Sequence, residues 1–443
     1  MTIYALSSGP GTSGIAVIRI SGTETLSVIK KLTSRDIPEP RVATLRKINY
    51  INTSELIDEA IILWFPGPES YTGDDLAEIH VHGSHAVIQA VLKSISQIKD
   101  CRLAEPGEFT KIAFLNGKIN LLQAESIGDL ISSETEIQRK QAIKIMNGSS
   151  SKIFNQLREK LLKILSYVEA KIDFPDEDLP KNILKNIKTE TKEIHDKIQK
   201  ILKDNKVGEK IREGFKIVIL GPTNAGKSSL LNLLSNREVS IVSETAGTTR
   251  DIIEAHLNID GYPVIISDTA GIRDSKNEIE KKGIKLALNR AEEADLKLIV
   301  LDEKNHDFTS FFDNLVDDNC ILIINKSDLI ENKKVYNLGQ LEHIFISIKN
   351  NSKIDELILK IKDKLKNKFI TGDDILITRE RHRQHLENCS HSLEDFFNKN
   401  QNKDFDKAAE DLRIATRELG KIVGKVDVEE LLGSIFNDFC IGK

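Results

Sequence analysis

Short apolar or alternating runs dominate the chain from Ile15 to about Cys101. IAVIRI, AIILWF and AEIHVHG are separated by Gly, Pro, Asn and Ser, which is the pattern of strands joined by turns and predicts a mixed α/β segment. From about Asn120 the apolar spacing lengthens to three and four. Leu121, Leu122, Glu125, Ile127, Leu130 and Ile131, then Phe154, Leu157, Leu161, Leu165, Val168 and Ile172, follow the helical period and predict a helix array. The turn-rich DFPDEDLP interrupts it between Asp173 and Pro180. A Lys-rich run follows, with Ile183, Ile187, Ile194, Ile198 and Ile201 at helical spacing. Interleaved Glu190, Glu193, Asp196 and Asp204 make it an ordinary exposed helix rather than an RNA-binding arm. Near Gly214 a buried strand, FKIVIL, leads into a glycine-rich loop, a helix and further strands VIISD, KLIVLD and ILIIN, an alternation that implies a parallel sheet. After about Lys368 helices return through Ile435. The expected fold class is α/β plus all-α: an α/β domain over 1–116, a helical domain over 117–212 and 371–443, and a mostly parallel-sheet domain inserted over 213–370.

Composition narrows the functional classes. A chain of 443 residues allows about three domains at roughly 150 residues each, and needs no disulfide or metal to hold a core. Charged residues at 30% and hydrophobic ones at 40% exclude disordered, collagenous and membrane classes. The formal net charge of −5 lacks the overall basic field of non-specific nucleic-acid binders, though a local basic face can still hold RNA. Cys101, Cys320, Cys389 and Cys440 stand far apart with no CxxC pair, as expected of free thiols in a reducing compartment. No apolar run reaches the ~18 residues of a membrane span, and MTIYALSSGP lacks a signal-peptide pattern, so the expected location is the cytoplasm.

The chemistry is concentrated in four boxes. Residues 221–228 read GPTNAGKS, a G-x-x-x-x-G-K-S loop between a buried strand and a helix. Backbone N–H groups of such a loop close around phosphate oxygens, Lys227 reaches the β/γ oxygens, and Ser228 offers its hydroxyl to Mg2+. TAGTTRD at 245–251, DTAG at 268–271 and NKSD at 325–328 follow in order, which makes the inserted domain a P-loop GTPase switch domain. Asp328 can accept two hydrogen bonds from the guanine N1–H and 2-amino group, and Asn325 and Lys326 brace that pocket. Ser347-Ile348-Lys349 stands where a base-contacting S-A-K loop is usual, with Ile348 departing from the small residue. The GTP-binding set is Asn224, Ala225, Gly226, Lys227, Ser228 and Ser229; Ser243, Glu244, Thr245, Ala246, Gly247, Thr248 and Thr249; Asp268, Thr269, Ala270 and Gly271; and Asn325, Lys326, Asp328 and Ser347. Ile272 occupies the position where many switch GTPases carry a water-orienting Gln. Glu280, Arg250 or a bound metal cation are the alternatives for that work.

Asn224 in the P-loop, GTTRD, DTAGIR, the internal position of the GTPase domain and the terminal FCIGK together resemble the bacterial tRNA modification GTPase family MnmE, also called TrmE. SYTGDD at 70–75, PGEFT at 106–110 and AFLNGKINLLQAE at 113–125 extend the resemblance over the whole chain. It implies a K+-stimulated GTPase whose GTPase domains dimerise across the nucleotide, with K+ where an arginine finger would supply charge. On matching positions Asn224, Ser243, Thr245 and Thr248 would bind K+, Ser228 and Thr249 would bind Mg2+, and Glu280 would be the catalytic residue that positions water. A solvated switch charge is the plainer reading of Glu280.

The same resemblance implies that the N-terminal domain binds a tetrahydrofolate derivative, in 5-formyl or methylene form, and holds a homodimer. Arg19, Glu78 and Lys118, with Lys443 nearby, would contact it; surface ion pairs explain the first three residues equally well. His80 and His82 alternate on one strand face with His85 close by, and are read as sheet residues rather than a metal site. The role of Cys440 stays open. The resemblance further implies a heterotetramer with an FAD-dependent partner, MnmG (GidA), that adds a carboxymethylaminomethyl-type group to carbon 5 of the wobble uridine of certain tRNAs. The competing expectation is a ribosome-assembly or signalling GTPase without modification chemistry.

Overall fold

The computed structural model describes residues 1–173, 183–222, 224–237, 254–268, 289–302, 316–329, 343–369, 375–399, 405–426, 432, 435–436 and 439–442. The chain divides into two compact units, Met1–Gly128 with Ile145–Thr191 and Asn388–Lys443, and Asp129–Lys144 with Lys192–Glu387.

The N-terminal part of the first unit runs β1 (Thr2–Leu6), β2 (Ser13–Ser21), α1 (Thr25–Thr33), β3 (Thr44–Asn49), β4 (Leu56–Phe65), β5 (Leu76–Gly83), α2 (His85–Ile95), β6 (Cys101–Leu103) and α3 (Glu108–Leu115). The strands form one sheet in the order β3-β4-β5-β2-β1-β6, antiparallel except for the parallel β1/β6 pair. In β2 the period of two sends Ala16, Ile18 and Ile20 into the core and leaves Val17 and Arg19 on the opposite face. Val28, Ile29 and Leu32 of α1, and Val91 and Ile95 of α2, close over Ile18, Ile20, Ile48, Ile62 and Ile79. The other face is covered in part by Phe109 of α3, which packs with Ile3, Ala5 and Ala104.

The helices that follow are α4 (Leu121–Ile131), α5 (Glu136–Met146), α6 (Ser149–Asp173), α7 (Ile183–Leu202) and α8 (Val207–Glu213). The Lys-rich run is a helix whose Ile187, Ile194 and Ile198 are buried, as its apolar spacing predicts.

The second unit holds β7 (Phe215–Leu220), α9 (Lys227–Arg237), β8 (Glu254–Ile259), β9 (Tyr262–Asp268), β10 (Leu296–Leu301), β11 (Cys320–Ile324), β12 (His343–Phe345) and α10 (Ile354–Phe369). Its sheet order is β12-β11-β10-β7-β9-β8, parallel apart from the antiparallel β8/β9 pair. Every residue of β10 and β11 is buried, as expected where helices cover both faces of a parallel sheet. Farther along the chain are α11 (Glu380–Asn398) and α12 (Phe405–Val423). The α12 helix packs along α6, where Arg413 grips Glu169 through two 2.8 Å hydrogen bonds.

Two guanidinium knots in the second unit hold the segments that enter and leave its sheet. Arg383 of α11 donates to Glu209 at 2.7 Å, Asp204 at 2.6 Å and the Leu202 carbonyl at 3.1 Å. Asp129 accepts from Arg212 at 2.9 Å and from Arg379 at 2.6 Å.

Candidate functional site

The phosphate loop joins β7 to α9 at the carboxyl edge of the sheet. Gly226 adopts φ +103, and a Cβ there would stand 2.3 Å from Asn325 Nδ2, so both backbone conformation and space favour glycine. Asn224 takes the left-handed conformation at φ +63, which Asn tolerates better than most residues. Lys227 is buried, with its ammonium donating to the Gly221 and Pro222 carbonyls at 2.9 Å each. Ser228 and Ser229 are exposed in the first turn of α9, where free helix N–H groups favour an anion.

The guanine box is bonded to this loop directly. Asn325 follows β11, is buried, donates from Nδ2 to the Ala225 carbonyl at 2.8 Å, and accepts the Ile348 N–H at 3.3 Å. Lys326 donates to the Asn224 carbonyl at 2.9 Å. The Asp328 carboxylate accepts the Ser347 hydroxyl at 2.6 Å, and that bond holds the carboxyl below the ordinary aspartate value. Ser347 is buried and accepts the Asn350 N–H at 3.2 Å, so it orients Asp328 from beneath. The Ser-Ile-Lys segment thus lies against Asp328 through Ser347, and its Ile348 packs as a partly buried residue against the sheet core.

Described residues account for Asn224, Ala225, Gly226, Lys227, Ser228, Ser229, Asn325, Lys326, Asp328 and Ser347, which the fold brings to one edge of the sheet. The backbone of Asp268 ends β9 beside β7 at that same edge. Ser243, Glu244, Thr245, Ala246, Gly247, Thr248 and Thr249, together with Thr269, Ala270, Gly271, Ile272, Glu280, Arg250 and Lys443, lie outside the described residues.

A second cluster sits on the open face of the N-terminal sheet. Arg19 and Glu78 are direct partners across β2 and β5, and the guanidinium donates to Glu78 Oε1 at 2.8 and 3.2 Å. Their side chains are 16% and 20% exposed, so this is a half-buried pair and not the surface ion pair that the residues alone allowed. The Arg19 guanidinium carbon lies 5.6 Å from the Tyr71 ring centroid and 5.8 Å from that of Phe109. Burial pushes the Tyr71 phenol up, and its oxygen shares a 2.8 Å hydrogen bond with Thr110. Arg19 also donates to the Gly442 carbonyl at 3.3 Å, which the Ser7 hydroxyl reaches at 2.8 Å. Gly442 has φ +96 and leaves no room for a Cβ, which would stand 2.2 Å from the Leu6 carbonyl. The tail is seated further by an antiparallel bridge between Pro106 and Ile441, while Cys440 is exposed. Lys118 is exposed beside Gly73 of SYTGDD. The histidines of the same face find carboxylates: His80 lies 3.4 Å from Glu78, and His82 lies 2.8 Å from Asp58. Sequence reading missed Tyr71, Phe109 and the Gly442 carbonyl as parts of this cluster; the quoted motifs contained all three, without any sign of their convergence.

Two family models match the chain in succession. Residues 2–118 match the family model for the GTP-binding protein TrmE N-terminus, and residues 121–440 match that for the MnmE helical domain. The tRNA modification GTPase MnmE of Pelagibacter ubique (strain HTCC1062) is 72% identical over 443 residues, covering 100% of both chains. That of Rickettsia bellii (strain RML369-C) is 45% identical over 450 residues, again covering 100% of each. Among solved structures, Era from Aquifex aeolicus bound to GDP.AlF4- is 26% identical over 40% of this chain and 66% of its own, with a TM-score of 0.28.

Proposed function

The chain belongs to the MnmE family of tRNA modification GTPases, and on that premise we propose that it is a K+-stimulated GTPase working with the FAD-dependent partner MnmG (GidA). In this reading the two proteins form a cytoplasmic heterotetramer built on a homodimer of this chain. They add a carboxymethylaminomethyl-type group to carbon 5 of the wobble uridine in certain tRNAs, drawing the carbon unit from 5-formyl- or methylene-tetrahydrofolate. The working division is an N-terminal folate and dimerisation domain over 1–116, helical segments over 117–212 and 371–443, and the GTPase domain over 213–370.

The observation that carries the GTP chemistry is the direct bonding of guanine box to phosphate loop, Asn325 to the Ala225 carbonyl and Lys326 to the Asn224 carbonyl. Base and phosphates then bind one pre-formed surface. The Lys227 ammonium is itself a buried positive charge within the loop, in reach of where phosphate oxygens would replace its carbonyl partners. The loop fits metal-assisted phosphate binding: Ser228 and Thr249 would hold Mg2+, and Asn224, Ser243, Thr245 and Thr248 would hold K+. These cations supply positive charge against the charge that develops on the phosphates. Glu280 would orient the attacking water in place of the Gln that Ile272 replaces.

Support for folate comes from the donor set at Arg19 and Glu78. A carboxylate accepts from amide-like pterin donors, and a guanidinium or ammonium neutralises a glutamate tail, roles that suit Glu78, Arg19, Lys118 and Lys443. The test is mass analysis of wobble nucleosides from cells lacking this protein. Loss of the carbon-5 modification is expected; an unchanged nucleoside profile with altered ribosomal RNA processing would favour the ribosome-assembly switch instead.

A further inference from the structure

The second unit contains a buried carboxylate that the four nucleotide boxes leave unassigned. Asp302 immediately follows β10, the strand between β7 and β11, and is 4% exposed. Its Oδ2 stands 2.6 Å from the Lys326 ammonium. The same ammonium donates to the Asn224 carbonyl at 2.9 Å. Lys326 and Asn224 both hold left-handed backbones, at φ +61 and +63, a conformation that Asn tolerates but that costs lysine energy unless surrounding bonds fix it. A lysine ammonium alone is a rotatable point charge on a flexible stem. Tied to a buried carboxylate, it has one position. The tie sits beside the Asn325 bond to the Ala225 carbonyl, so two successive residues of the guanine box grip two successive residues of the phosphate loop.

We propose that Asp302 is a positioning residue for guanine nucleotide binding, acting through Lys326 to lock the guanine box against Asn224 of the phosphate loop. It deepens the GTPase reading and rests on it. Asp302 has no need to touch the nucleotide. Its removal frees the Lys326 ammonium and loosens the spacing between base and phosphate subsites, so affinity falls for any nucleotide that spans both.

The experiment is a double-mutant cycle on the full chain with Asp302→Asn, Lys326→Gln and the double variant. The readouts are the dissociation constant of fluorescent GDP, the KM and kcat for GTP, and thermal unfolding without nucleotide. Asp302→Asn is expected to weaken GDP binding about tenfold and raise KM with a smaller effect on kcat, as loss of a charge-assisted bond predicts. In the Lys326→Gln background the same change is expected to leave GDP affinity within twofold. Asp302→Glu, which restores the charge, is expected to recover part of the affinity. Additive losses in the cycle overturn the proposal, as does unchanged GDP affinity in folded Asp302→Asn. If Asp302→Asn alone does not fold, the comparison of Lys326→Gln with the double variant, which leaves no unpaired buried charge, decides: equal affinities support the proposal and a tenfold difference overturns it. A wild-type chain that binds no GDP would defeat the GTPase reading itself, a different outcome from either.

Discussion

Asp328 is the single carboxylate to which the proposed function assigns base choice. Two charge-assisted hydrogen bonds from guanine to this carboxylate imply a preference for guanine of about a hundredfold. Asp328→Asn is therefore expected to lose most discrimination between GTP and xanthosine triphosphate or ATP, checked by competition binding. Unchanged GTP selectivity in that variant contradicts the assignment. The NKSD box was legible because it is contiguous in the chain. Arg19 was legible only as a charge in a motif, because its partner carbonyl at Gly442 lies 423 positions away. Its environment gives a second expectation. Glu78→Ala is expected to lose binding of 5-formyl-tetrahydrofolate while leaving GTP affinity unchanged, read by equilibrium dialysis. Retained folate binding would remove Glu78 from the proposed site.

Among elements, continuous apolar and cleanly alternating runs announced their strands, and short or irregularly patterned ones did not. FKIVIL, VIISD, KLIVLD and ILIIN are near-continuous apolar runs because both faces of their sheet are covered. The β8 strand was missed because it is an antiparallel edge strand with only Leu257 and Ile259 buried, and β12 because it has three residues. The β1 strand went unread beside the glycine-rich SSGPGTSG, although its first four residues are buried. Helix ends hold the largest energetic expectation. Arg383 is 4% exposed and paired to two carboxylates, so removing it leaves Glu209 buried without its charge partner. Arg383→Leu is expected to cost about 3–5 kcal/mol and lower the midpoint of thermal unfolding of the second unit. A second pair gives a pH dependence. Burial pushes the Glu108 carboxyl up, but Arg102, donating at 2.8 Å, and the Glu105 N–H outweigh it and hold the value below that of an ordinary glutamate. A folded-state value below the unfolded one means stability that is present above about pH 4.3 and lost as pH falls through the lowered value. Arg102→Gln is expected to shift acid unfolding to higher pH, followed by circular dichroism.

At the scale of the whole molecule, the change of hydrophobic period from two to 3.6 and back revealed an α/β segment, a helix array and an inserted parallel sheet. What the period could not reveal is how distant segments converge. The tail reaches the N-terminal sheet through the Gly442 carbonyl, which accepts from Ser7 and Arg19, and through the close approach of Gly442 to the Leu6 carbonyl, so no side chain of the tail signals the contact. Within the GTPase activity, Ile272 stands where many switch GTPases carry a water-orienting glutamine, so hydrolysis needs another device. The most direct measurement is steady-state GTP turnover by the purified chain with Mg2+, in K+ and in Na+ at equal ionic strength. Turnover is expected to be much faster in K+, and Glu280→Ala to bind GTP normally yet hydrolyse it at the Na+ rate or below. Equal rates in the two salts would contradict the cation-assisted account.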